Sequence, residues 1–177
     1  MIYDLVPHPS HPPGGVQGVR VQLDRQDGAV LRLEYIIRHT APLALPSVGP
    51  AERADALWKT TCFELFLSQE EVGYCEFNFS PSTRWAAYRF DSYRGGMADL
   101  PLASAPEIAA SRAAGTFTLA VEAELPVTAS SPRMSLTAVI EEQDGTRSFW
   151  ALAHADGPPD FHNPACFTAT LPARGAA

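Results

Sequence analysis

The chain has one lysine, Lys59, among 13 basic residues, set against 20 acidic ones. The formal charge of −7 excludes the basic field on which non-specific nucleic-acid binding depends. It also argues against attachment to an anionic membrane surface. No stretch approaches the ~18 consecutive apolar residues of a membrane span. The start, MIYDLVPHPSHPP, lacks the basic residues and apolar run of a secretory signal, so a cytoplasmic protein is expected. Cysteine is scarce: Cys62, Cys75 and Cys166 are an odd number with no C-x-x-C spacing, and free thiols are expected. Also missing are G-x-G-x-x-G, a Walker A loop, H-E-x-x-H and G-x-S-x-G. Their absence removes the commonest nucleotide-binding, zinc-protease and hydrolase readings, although a convergent active site needs no short motif. No segment has the periodicity of an amphipathic helix.

What is present is strand pattern. At 177 residues, 46% of them apolar, the chain is long enough for one domain with a proper core. A Pro/His-rich lead over 1–15 precedes a single domain over 16–172 and a short tail over 173–177. Apolar side chains alternate with others over Val16–Asp24, Ala29–His39, Thr61–Ser68, Tyr74–Phe79 and Trp85–Asp91, then over Thr116–Leu125, Met134–Gln143 and Arg147–His154. Weaker strands are expected at Glu107–Arg112 and Cys166–Leu171. Asp27-Gly28 and Asp144-Gly145 mark hairpin turns. Pro42, Pro46 and Pro50 mark a long loop. Nine or ten strands with regular turns predict an all-β antiparallel sandwich.

The segment Trp58–Tyr93 holds most of the residues able to carry chemistry. Parity puts Phe63, Leu65 and Leu67 on one face of their strand, and Cys62, Glu64 and Phe66 on the other. In the next strand Cys75, Phe77 and Phe79 oppose Tyr74, Glu76 and Asn78. If the apolar sets share a core, Glu64, Glu76 and Asn78 share the opposite face. A hairpin folded about 68–73 would bring Glu64 directly across from Glu76, where two carboxylates repel unless a proton, an arginine, a cation or a ligand compensates. An internal salt bridge to Arg84, Arg89 or Arg94 is the plainer alternative.

Two clusters emerge. The first is Trp58, Glu64, Tyr74, Glu76, Asn78, Trp85, Tyr88, Tyr93 and Arg94, in which aromatic rings suit sugar faces and the polar groups suit hydroxyls. Parity separates Trp85 from Tyr88, so only one of them shares the site, and aromatics also simply fill cores. The second is Trp150, His154, Asp160, Phe161 and His162; it offers either metal ligands or a loop held by hydrogen bonds. No motif calls for a cofactor, and Ca²⁺ and haem stay open on chemistry alone. Cys62, in mid-strand without a nearby histidine, makes a poor nucleophile.

The runs LWKTTCFELFL, YCEFNFSPSTRWAAYRFDSYRGGM, FWALAH and PDFH resemble the DOMON-like group of bacterial proteins, which is related to the family 9 carbohydrate-binding modules. The resemblance spans Val16 to Leu171. It implies a jelly-roll β-sandwich with a concave ligand-accepting face, and relatives that bind sugars or, in some branches, haem. It also implies that Trp58, Glu64, Glu76, Asn78, Trp85 and Tyr88 occupy positions of the group's recurrent motif. The expected function is non-catalytic binding of a carbohydrate or similar polyol. The alternatives are glycoside chemistry on a carboxylate pair and a domain that docks a protein partner.

Overall fold

The computed structural model describes residues 1–25, 30–69, 72–126 and 131–172. The first expected hairpin turn, at Asp27-Gly28, and the tail 173–177 lie outside the described residues, as does part of the turn between the two central strands. Among the described residues there are twelve strands and two single 3₁₀ turns, at Leu57–Lys59 and Pro164–Cys166. The strands are β1 (Ile2–Pro7), β2 (Val16–Arg25), β3 (Val30–His39), β4 (Cys62–Ser68), β5 (Tyr74–Phe79), β6 (Trp85–Phe90), β7 (Ala98–Asp99), β8 (Glu107–Ala113), β9 (Thr116–Glu124), β10 (Arg133–Glu141), β11 (Arg147–Ala151) and β12 (Ala169–Thr170).

They form one antiparallel sheet, curled into a half-barrel, in the order β7-β6-β5-β4-β10-β11-β1-β2-β3-β9-β8, with β12 beside β10. The join is β1. Its first residues pair with β2, Leu5 opposite Val19, and its last pair with β11, Val6 opposite Ala151. The expected irregular lead is thus corrected: its first seven residues contain the strand that links the two arms of the sheet. IYDLVP is short and runs straight into His-Pro, so its pattern is too brief to stand out. The rest of the lead is tied down by Glu142, whose buried carboxylate accepts the backbone N–H groups of Gly14 (2.8 Å) and Gly15 (2.7 Å).

Alternation sets the core. Val19, Val21, Leu33, Tyr35, Ile37, Phe117 and Leu119 of one arm meet Phe63, Leu65, Phe77, Phe79, Leu136 and Ala138 of the other. Tyr35 and Phe63 lie 5.0 Å apart by ring centroids, and the Tyr35 hydroxyl donates to the Glu64 carbonyl at 2.8 Å. Burial of these side chains from water is the main force holding the arms together. The outer face of the β4–β5–β6 arm carries a second apolar cluster of Phe66, Tyr74, Tyr88, Phe90, Val139, Phe161 and Phe167. That second cluster positions the site. Among the described residues no helix is long and apolar enough to cross a membrane.

Candidate functional site

The register of the central hairpin corrects one expectation. Glu64 lies opposite Asn78, and Glu76 lies opposite Phe66 on one side and Tyr88 on the other. The hairpin closes with Ser68 facing Tyr74 and the Gln69 N–H donating to the Gly73 carbonyl at 3.1 Å. Gly73 has φ +90°, and a Cβ there would collide with the Phe90 carbonyl oxygen, so glycine is required. The register is two residues away from the expected one. A two-residue shift preserves parity, so Glu64, Glu76 and Asn78 do share a face, with the two carboxylates diagonal rather than opposed. Diagonal neighbours are roughly 7–8 Å apart by Cα, which still couples buried charges.

On that face lies a cavity of about 640 Å³. Glu64, Glu76, Phe66, Tyr88 and Phe90 form its floor, and Val139 and Phe149 one side. Its rim comes from Asp55 and Trp58 before β4, Arg94 and Met97 after β6 with Asp99 of β7, and Pro159, Phe161 and His162 after β11. Trp58 is half exposed at the mouth. Ala56 (φ 59°) and Arg94 (φ 53°), two of the three described non-glycine residues with left-handed backbone, both line it. Such strain persists where surrounding contacts enforce it, and it concentrates at ligand sites.

Hydrogen bonds order the polar groups. Thr137 donates to Glu64 Oε2 at 3.0 Å, and Asn78 donates to Glu76 Oε1 at 2.6 Å. Burial and the neighbouring Glu76 push the Glu64 carboxyl up to about 8; burial also raises Glu76. The Tyr74 hydroxyl accepts the Arg94 backbone N–H at 3.2 Å and shares a hydrogen bond with His162 Nδ1 at 2.6 Å. His162 Nε2 faces Glu76 Oε2 at 3.8 Å, too far for a hydrogen bond. Burial and Arg94 pull His162 down to about 4, so it is neutral near pH 7. Asp160 holds Arg94 (2.7 Å) and the Tyr93 hydroxyl (2.6 Å). Tyr88 donates to Asp55 at 2.7 Å, and Arg53 pairs with Asp99 and Asp55.

The first expected cluster therefore divides. Trp58, Glu64, Glu76, Tyr88 and Arg94 line the cavity, while Asn78 stands behind Glu76. Trp85 does not belong: it packs against the main core on the other face, as its odd position in the strand requires. The second cluster is dispersed. His162 lines the cavity and Asp160 braces Arg94. Trp150 is buried in the main core, its indole N–H donating to Ser148 at 2.9 Å. His154 lies against His8, ring centroids 4.8 Å apart, and bonds the Val6 carbonyl. His154, Asp160 and His162 thus share no metal centre, and among the described residues no group of three His, Cys, Asp or Glu is placed to hold a metal ion. Sequence reasoning missed Asp55, Phe90, Met97, Asp99 and Phe149 as cavity residues. Parity within β6 and β11 would have found Phe90 and Phe149. The loop residues carry no period at all.

A larger groove of about 830 Å³ runs along the other arm, over β2, β3, β9 and β8. No polar or charged side chain lining it is buried, and Arg32 pairs there with Glu122 at 2.7 Å in solvent. It has shape without converging buried polar groups, so it is the weaker candidate.

The chain shares its fold with a solved protein. That protein, from Bacteroides uniformis, is described as a putative carbohydrate-binding protein; the two superpose with a TM-score of 0.66 at 16% identity, over 97% of this chain and 85% of the other. Identity this low speaks for the architecture alone. No family model matches the chain, and no curated relative does.

Proposed function

We propose that this chain is a non-catalytic carbohydrate-binding protein whose site is the cavity over β4, β5 and β6. The observation that carries this reading is the cavity's composition: aromatic walls with a half-exposed indole at the mouth, above buried carboxyls that are only partly hydrogen-bonded. Trp58 stacks on a sugar face. Glu64, Glu76, Arg94 and His162 take its hydroxyls, and Tyr88 with Asp55 closes one side. The volume suits a mono- or disaccharide. The naming of the Bacteroides uniformis neighbour agrees with this assignment. We place the chain with the DOMON-like group and read its curled sheet as a jelly-roll sandwich. Its three buried free cysteines suit a reducing compartment.

Calorimetric titration of neutral mono- and disaccharides into wild type and Trp58→Ala tests the reading. A sugar that binds wild type about tenfold tighter than the variant, roughly 1.4 kcal/mol, is expected. Equal affinity for both proteins would remove Trp58 from the site.

One observation favours a second reading. Glu64 keeps its proton near neutral pH, as a general acid must. In that case Glu64 protonates a glycosidic oxygen and Glu76 is the second carboxylate of the pair. Turnover of aryl glycosides that disappears in Glu64→Gln would favour it; binding without turnover favours the first.

A further inference from the structure

The floor of the cavity carries two buried acids, with Arg94 at the rim. Glu64 is 2% exposed and Glu76 is 5% exposed, and each accepts a single side-chain hydrogen bond. The second oxygen of each, Glu64 Oε1 and Glu76 Oε2, accepts none among the described residues. Among the described residues no arginine or lysine lies within ion-pair distance of either. The nearby cations are paired elsewhere, Arg94 with Asp160 and Arg53 with Asp55 and Asp99; from the rim Arg94 also lowers Glu76, by less than burial raises it. His162, 3.8 Å from Glu76, is neutral. A proton on Glu64 relieves the pair; a positive ligand group between the two free oxygens can take that proton's place, which a neutral group cannot.

The walls point the same way. Five aromatic residues line the cavity; Tyr88 and Phe149 already carry Arg53 and Arg147 over their rings, and Phe66, Phe90 and Phe161 carry no such cation among the described residues, while ring faces attract cations. A metal ion fits poorly, because Ca²⁺ needs six to eight oxygen ligands and the rings supply none. An ammonium fits well: it has three donors for the two free oxygens, and its carbon frame rests on the rings. Resting on the carbohydrate reading, we infer that the cavity selects a ligand bearing a protonated amine, an amino sugar with a free ammonium group, over its neutral and anionic counterparts. The ammonium donates to Glu64 Oε1 and Glu76 Oε2, and Glu64 gives up its proton to solvent as the cation arrives.

The experiment is calorimetric titration of the full chain at about pH 6.5 with glucosamine, glucose, N-acetylglucosamine and glucuronate, repeated with Glu76→Gln. Glucosamine is expected to bind at least tenfold tighter than glucose or N-acetylglucosamine, with glucuronate weakest. Glu76→Gln is expected to narrow the glucosamine-to-glucose ratio toward one. Glu64→Gln, which keeps the shape of the protonated acid, serves the same comparison if Glu76→Gln does not fold. Equal affinity for glucosamine and glucose, or tighter binding of glucuronate, would overturn the amine selection and leave the carbohydrate reading standing. Failure of all four to bind would overturn both.

Discussion

Glu64 is the residue on which the chemistry of the site turns. Its carboxyl is buried beside a second acid, and its proton is held up to about 8 rather than near 4.5. The unfolded chain releases this proton first. The resulting stabilisation is therefore complete below about pH 4.5 and is lost as pH rises toward 8, by at most about 1.4 kcal/mol per unit. Urea denaturation of wild type should show midpoints falling across that window. Glu64→Gln, which has no proton to lose, should show a flatter profile and regain ground on wild type at the alkaline end. Identical slopes in the two proteins would place the titration elsewhere. Trp58 is the opposite kind of residue. It is half exposed and outside both apolar clusters, so Trp58→Ala should leave the thermal midpoint within a degree or two while weakening sugar binding. At this scale the sequence was informative about faces and silent about register. Period 2 placed Glu64, Glu76 and Asn78 together and set Trp85 apart from Tyr88. It could not distinguish Glu64 opposite Glu76 from Glu64 opposite Asn78, because both registers leave every side chain on the same face.

Among the elements, β1 has the largest leverage for its length. Six residues bridge the two arms, and Leu5 is the one core side chain they contribute. Removing residues 1–7 exposes an edge of β2 and an edge of β11 together, and the arms lose their hydrogen-bonded hinge. Far-ultraviolet circular dichroism should show retained strand signal with a markedly lower and broader thermal transition; an unchanged midpoint would make β1 an ornament. A finer probe of the same packing is Tyr35→Phe. It deletes the hydroxyl that reaches across the core to the Glu64 carbonyl at 2.8 Å while leaving the ring in place. The expected cost is about 1 kcal/mol, read from the shift in the urea midpoint. The long strands β3, β5, β6 and β9 were legible because their alternation continues for six to ten residues. β1 and the two-residue β7 were not: local pattern is too short there, and pairing with distant strands determines the conformation.

For the molecule as a whole, the arrangement is a division of faces. The inner face of the curled sheet is closed by hydrophobic packing, and the outer face of one arm is left to loops that wall a cavity. This is how a β scaffold separates stability from recognition: the strands fix the floor, and loops of no regular period supply the rim. The loop contributors Asp55, Met97 and Pro159, and Asp99 in the two-residue β7, were therefore beyond sequence reasoning, since only the folded sheet brings them to one place. The most direct test of the central claim is an amide NMR titration of the isotopically labelled chain with the best-binding sugar. Shifts are expected to concentrate at β4, β5, β6 and the segments bearing Trp58, Arg94 and His162, with the β2–β3–β9–β8 arm unmoved. Shifts confined to the groove on that second arm, or none at saturating sugar, would contradict it.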